Sequence, residues 1–129
     1  MSAVSNFVYR QITHVGRGLT LAQGLKMRES GVENIPDEGG AVIVCNHTGY
    51  MDFLLGAFLA YRKKRLVRYL AKASIFKVPV VGPLFQMMGH VPVDRIDGGA
   101  AIVKGTELAK NGELVGVFAE GTISRSFEI

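Results

Sequence analysis

Residues 41–52 read A-V-I-V-C-N-H-T-G-Y-M-D, and no other stretch of the chain narrows its folding so far. Four apolar residues, three of them β-branched, run without a break into a polar cluster. That is the pattern of a buried strand delivering its last side chains to a rim. His47 and Asp52 in the cluster are five positions apart. On one helix they would stand roughly 140° apart around the axis, and on one strand they would face opposite sides. A tight strand-to-helix turn brings them together, and Thr48-Gly49 supplies turn-compatible residues before an apolar run that can begin a helix near Asp52. An imidazole held by a carboxylate has its tautomer fixed and its basicity raised, so the pair reads as a general base with its orienter. The other reading of His47 is a hydrogen-bonded turn residue.

The flanking sequence repeats the alternation of strand and helix. After Asp52 the run F-L-L-G-A-F-L-A-Y is apolar on nearly every side, as in a short buried helix whose N-terminus points back at His47. Such an end favours anionic groups and opposes charging of the imidazole, an effect Asp52 counters. Residues 66–71 read as a second strand. In residues 74–88, Pro79, Gly82 and Pro83 forbid one regular helix through the middle, leaving a bent apolar surface. Met87 and Met88 lie within it, as core packing or as adaptable area for an acyl chain. Residues 89–95 form a short strand ending in Asp94-Arg95, with His90 as a structural residue. Asp97 is placed to cap a helix whose buried stripe is Ala101, Ile102, Gly105, Leu108 and Ala109, and Asn111-Gly112 ends it. Residues 113–118 are the next strand. The expected architecture is α/β, a mostly parallel sheet flanked by helices.

Residues 1–28 differ in character. Phe7, Val8, Ile12, Val15, Leu19, Leu21 and Leu25 fall loosely at helical spacing with Arg10, Arg17, Lys26 and Arg28 between them, and no acid precedes Glu29. Gly16, Gly18 and Gly24 weaken a single long helix, so two short amphipathic helices are expected, either at a bilayer interface or packed on the domain's own core. Residues 29–40 are a turn-rich loop leading into the domain of residues 29–129.

Charge and composition narrow the partners. The chain has 129 residues and a net charge of +4, and residues 53–93 hold no Asp or Glu while carrying Arg62, Lys63, Lys64, Arg65, Arg68, Lys72 and Lys77. A one-signed block of this kind favours lipid headgroups, a phosphorylated substrate or nucleic acid, unless counter-charges arrive from elsewhere in the fold. The aromatics are not interleaved with the basic run as stacking platforms, which argues against nucleic acid. No apolar run approaches the roughly 20 residues of a spanning helix. With no secretory leader at the start, the expected location is peripheral, on the cytoplasmic side of a membrane. Cys45 is the only cysteine, so there is no internal disulfide, and its ordinary role is small buried filler.

Asn46-His47, four residues and then Asp52 resembles the N-H-x-x-x-x-D signature of the 1-acylglycerol-3-phosphate acyltransferase family. Two further blocks follow in the family's order. The strand ending in Asp94-Arg95 resembles the second, and Phe118-Ala119-Glu120-Gly121-Thr122 resembles the third, usually Phe-Pro-Glu-Gly-Thr. Ala119 stands where proline is usual, which frees a backbone angle but removes no functional group. Where the family often shows Lys, one residue, then Glu, this chain has Lys72-Ala73-Ser74. The resemblance covers residues 40–126, and it implies a domain that continues beyond Ile129.

The resemblance implies an acyltransferase of phospholipid biosynthesis that moves a fatty acyl group from acyl-CoA or acyl carrier protein to a lysophospholipid or glycerol phosphate hydroxyl. His47 and Asp52 would be its catalytic residues, and Asn46, Arg95, Glu120, Gly121 and Thr122 would bind substrate. Arg95 would hold the acceptor phosphate, for which a guanidinium offers matched forked donors; an ion pair with Asp94 or Asp97 is its ordinary alternative. Glu120 suits a turn-stabilising role equally. Neither a metal nor any other cofactor is required. Two other readings remain: a non-catalytic module binding anionic lipid at a membrane surface, and a hydrolase using Cys45 with His47.

Overall fold

The computed structural model describes residues 2–46, 49, 52–94, 96 and 98–118. Helix α1 (Ala3–Ala22) is followed by β1 (Ala41–Cys45), α2 (Asp52–Tyr61), β2 (Val67–Lys72), α3 (Val81–Met87), β3 (Val91–Val93), α4 (Gly99–Lys110) and β4 (Leu114–Phe118). Single 3₁₀ turns occupy Val32–Asn34 and Ala73–Lys77. The four strands are all parallel, in the order β1-β4-β2-β3. Each connection between consecutive strands carries a helix, which parallel pairing demands. The expected α/β class is therefore the observed one.

The two sheet faces are covered unequally. Tyr9, Ala57, Ala60, Leu66, Val67, Tyr69, Met88 and Leu114 form one buried cluster between the sheet and the helices α1 and α2. On the other face α4 packs closely through small residues, for a Cβ at Gly105 would stand 3.3 Å from Leu70 Cδ1 and 3.6 Å from Val115 Cγ1. Ala101 and Gly105 are the buried positions of α4, whereas Ile102 is exposed. The close approach of two small residues turns Ile102 outward, a correction to the expected stripe. Gly98, rather than Asp97, occupies the N-cap position of α4, and Asp97 lies outside the described residues. Strand β1 also departs from expectation. It is an edge strand among the described residues, and Val42 and Val44 are 58% and 67% exposed, because α4 packs mainly on β3 and β4.

Helix α1 is a single helix of 20 residues rather than two. Each interior glycine costs about 1 kcal/mol against alanine, and tertiary contact offsets it. A Cβ at Gly16 would meet Leu54 Cδ2 at 3.0 Å, so this glycine lets α1 approach α2. The docked side of α1 is polar. Ser5 Oγ donates to Met87 O, Tyr9 Oη donates to Val67 O at 2.7 Å, and Asn6 Oδ1 accepts from Arg68. Thr13 is buried and returns its hydroxyl to Tyr9 O. Val4, Phe7, Val15 and Leu19 are instead 60–68% exposed. At 100° per residue they occupy a stripe of roughly 120°, so the amphipathicity of α1 is inverted relative to an ordinary surface helix.

Candidate active site

In a parallel α/β sheet the carboxyl ends of the strands collect functional groups, because the loops leaving them share one rim. Here Cys45 at the end of β1 is paired with Phe118 at the end of β4, and Lys72 of β2 with Val93 of β3. The three blocks singled out in the sequence continue directly from Cys45, Val93 and Phe118. The described residues from which they continue, Cys45, Val93 and Phe118, all close their strands at the same edge of the sheet.

Of the expected site residues, Asn46 and Asp52 are described, while His47, Arg95, Glu120, Gly121 and Thr122 lie outside the described residues. Asn46 is exposed immediately beyond β1. Asp52 is half-buried and is the first residue of α2, as the sequence predicts. Its Oδ2 accepts from Gly49 N at 2.9 Å, and its own N–H donates to Gly49 O at 3.3 Å. This reciprocal pair closes the strand-to-helix turn, and a charge-assisted bond of that kind is roughly twice as strong as a neutral one. The negative carboxylate also sits in the first turn of α2, where the helix dipole stabilises it.

The Asp52 charge is felt at the strand end. Burial, and secondarily Asp52, push the Cys45 thiol above its usual range. Both effects disfavour the thiolate, the nucleophilic form, and so argue against a Cys45-based hydrolase. On the far side of the sheet end, Asp94 Oδ1 accepts from Ile96 N at 3.0 Å, an Asx-type turn directly after β3.

The basic block is largely consumed within the fold. Arg68 is 1% exposed and donates to Met88 O at 2.7 Å and Asn6 Oδ1 at 2.6 Å. Arg65 donates to the carbonyls of Pro36, Gly39 and Gly112, tying two loops to β2 at the rim opposite the site. Arg62 pairs with Glu29 and Lys63 with Asp37. The counter-charges come from elsewhere in the fold, and the block is not one continuous anion-binding face. A separate hollow of about 650 Å³ is lined by Arg10, His14, Arg17, Tyr61, Arg62 and Lys64 at the C-terminal end of α2. It lies roughly 14 Å along that helix from Asp52.

Beneath the rim is an aromatic layer that the sequence reading did not single out. Tyr69 stacks on Phe118 with centroids 5.6 Å apart and meets Phe53 of α2 edge-on. His90 Nδ1 accepts from Tyr69 N at 3.0 Å, so the structural reading of His90 acquires a specific bond. Burial, and then Arg68, hold that imidazole down at about 3, neutral with its proton on Nε2. The available signal was a tyrosine inside an apolar strand, with Gly56 and Gly116 in the elements that flank it.

Comparison with known proteins identifies the family. The family profile described as Acyltransferase matches residues 26–129. A 1-acyl-sn-glycerol-3-phosphate acyltransferase of Bacillus subtilis is 36% identical over 107 residues, covering 81% of this chain and 51% of the relative. One from Borreliella burgdorferi is 33% identical over 79% of this chain and 41% of its own length, and a chloroplastic one from Arabidopsis thaliana is 34% identical over 78% and 28%. The chain thus spans about half, or less, of the length of these relatives. No solved structure matches it.

Proposed function

The chain belongs to the acyltransferase family, and on that footing we propose that the full-length protein transfers a fatty acyl group from an acyl thioester to the hydroxyl of a lysophosphatidate-like acceptor. The observation that carries this reading is Asp52. Its carboxylate is fixed by Gly49 at the mouth of α2, one turn from the end of β1, within the chain's match to the family signature.

In this mechanism His47 takes the proton from the acceptor hydroxyl as its oxygen attacks the thioester carbonyl. The carbon–oxygen bond forms, the tetrahedral intermediate expels the thiolate as the carbon–sulfur bond breaks, and the imidazolium returns the proton to sulfur. Asp52 orients the ring and stabilises its charged form. General-base assistance of this sort contributes on the order of 10²- to 10⁴-fold. Arg95, with the turn at Gly121-Thr122, holds the acceptor phosphate, Asn46 and Glu120 bind the acceptor's polar groups, and that positioning reduces the barrier by several kcal/mol more. The donor is acyl-CoA or acyl carrier protein.

We also place the protein at the cytoplasmic face of a membrane, peripherally bound. Support comes from α1, whose Val4, Phe7, Val15 and Leu19 are 60–68% exposed, with Arg10 and Arg17 beside the stripe. No helix of the described residues is long and apolar enough to cross a membrane.

The test is acceptor-dependent thiol release by the full-length protein against a panel of lysophosphatidate, glycerol 3-phosphate and other lysolipids. His47→Ala is expected to abolish turnover with the fold intact, and retained turnover removes His47 from the mechanism. Arg95→Ala is expected to weaken apparent acceptor affinity, and an unchanged dependence on acceptor concentration contradicts its role. Vesicle binding by a protein that releases no thiol with any acceptor favours the non-catalytic lipid-binding alternative.

A further inference from the structure

Tyr69 lies in the middle of β2, 2% exposed, with its ring clasped between two glycines on two different elements. Gly116 is directly opposite it on β4. A Cβ there would run into Tyr69 Cδ1 and Cε1 and would stand 2.8 Å from Val67 Cγ1. On the other side, a Cβ at Gly56 of α2 would run into Tyr69 Oη while standing 3.6 Å from Cζ. The phenol therefore meets α2 at the single position of that turn where no side chain intervenes.

The rest of the ring is held as firmly. Phe118 stacks on it at 13° between planes, Phe53 approaches at 85°, and the backbone N–H of Tyr69 is bound by His90 Nδ1. Tyr69 Oη is buried with no hydrogen-bond partner among the described residues. A buried, unpaired hydroxyl is unfavourable, and phenylalanine would avoid that penalty. What the oxygen supplies here is length: it spans the gap from the sheet to the Gly56 turn.

Asp52 is four residues before Gly56, on the same face of α2 one turn nearer the N-terminus. The phenol is raised above its ordinary range by burial and then by Tyr9, Cys45 and Asp52, which puts Asp52 within electrostatic reach of the ring. Packed interiors transmit small displacements because they contain little slack. We propose that Tyr69, clasped between Gly116 and Gly56, is a positioning residue that sets the height of α2 over the sheet and thereby the place of the Asp52 carboxylate relative to the end of β1. The inference rests on the acyltransferase mechanism proposed above, because it treats Asp52 as the group whose placement matters.

Reciprocal substitution in the full-length enzyme tests it. Tyr69→Phe removes the oxygen, lets α2 settle toward the sheet and lowers kcat about tenfold, while the acceptor KM stays within about threefold and the thermal midpoint does not fall. Gly56→Ala pushes α2 outward and lowers kcat about 10²-fold, the loss a displacement near 1 Å can cause. In Gly56→Ala/Tyr69→Phe the new methyl fills the volume left by Oη, and kcat returns to within about threefold of the wild type. A purely structural role would change the midpoints and leave kcat per folded molecule untouched. If Gly56→Ala does not fold, Tyr69→Phe and the double variant still decide. Tyr69→Phe at wild-type kcat, or a double variant no better than the worse single variant, overturns the proposal. His47→Ala in the same assay separates the two claims: its unimpaired turnover contradicts the base assignment, whereas a dead His47→Ala beside an unimpaired Tyr69→Phe contradicts only the role of Tyr69.

Discussion

Replacing Arg68 by methionine should cost stability and leave anion binding alone. Its guanidinium is 1% exposed, donates to Met88 O and Asn6 Oδ1 at 2.7 and 2.6 Å, and lies 5.5 Å above the Tyr9 ring. Each charged hydrogen bond contributes about 1.5–3 kcal/mol, and the cation–ring contact about 0.5–2 kcal/mol when desolvated. The contact of Nε with Glu113, at 3.5 Å, contributes less than about 1 kcal/mol because that carboxylate is 28% exposed and rehydrates when released. Two terms act the other way. Nε has no hydrogen-bond partner among the described residues, and methionine fills most of the volume with apolar atoms. The balance is a loss of about 3 kcal/mol, in the lower range for breaking a buried charged network.

With a urea m-value of about 2 kcal/mol per M, that loss lowers the unfolding midpoint by about 1.5 M at unchanged slope. Arg68→Lys keeps the charge without the fork and should lose about half as much. The assay is equilibrium urea unfolding of the full-length protein followed by circular dichroism, beside cosedimentation with anionic vesicles. A midpoint within about 0.3 M of the wild type would refute the reasoning. So would a drop in vesicle affinity at unchanged stability, because it would mean that Arg68 faces a ligand.

Two further outcomes follow from the same geometry. His90 is neutral in the fold down to about pH 3 but takes a proton near its ordinary pKa of about 6.5 when unfolded, so between these values the unfolded state binds more protons and stability falls as pH falls. His90→Asn, which keeps an acceptor for Tyr69 N, should flatten the decline between pH 6 and 4.5 by about 1 kcal/mol per pH unit, read from urea midpoints; an unchanged slope would place the titration elsewhere. Phe7→Glu/Val15→Glu alters only exposed positions of α1 and should reduce partitioning onto phosphatidylglycerol vesicles at least about tenfold, since each buried apolar side chain contributes about 1.5–3 kcal/mol. Equal partitioning would show that this stripe does not meet lipid.

What the sequence disclosed and what it withheld divide along physical lines. The step from β1 to α2 was legible because it is local: a β-branched run, a glycine turn and an apolar segment opened by Asp52 fix it within 21 residues. The parallel sheet followed from the alternation of such units. The burial of Arg68 was not legible, because its partners Asn6 and Met88 lie 62 and 20 residues away and a guanidinium in a basic run looks solvated. The continuity of α1 across Gly16 depends on Leu54 in another helix, and its inverted amphipathicity depends on carbonyls of Val67 and Met87. Exposure of Val42 and Val44 reflects strand order, which periodicity in one strand does not encode. At the site, Asp52 and its turn were readable in advance, whereas the clasp of Tyr69 between Gly56 and Gly116 required three elements to be superposed.

The steady-state kcat of Asp52→Asn in the full-length protein bears most directly on the account. Asparagine keeps an oxygen for the Gly49 amide and so preserves the turn, but it withdraws the charge that would hold and stabilise the imidazolium. A fall in kcat on the order of 10²- to 10⁴-fold with near-native stability is the predicted result. A folded Asp52→Asn protein that releases thiol at the wild-type rate would contradict it.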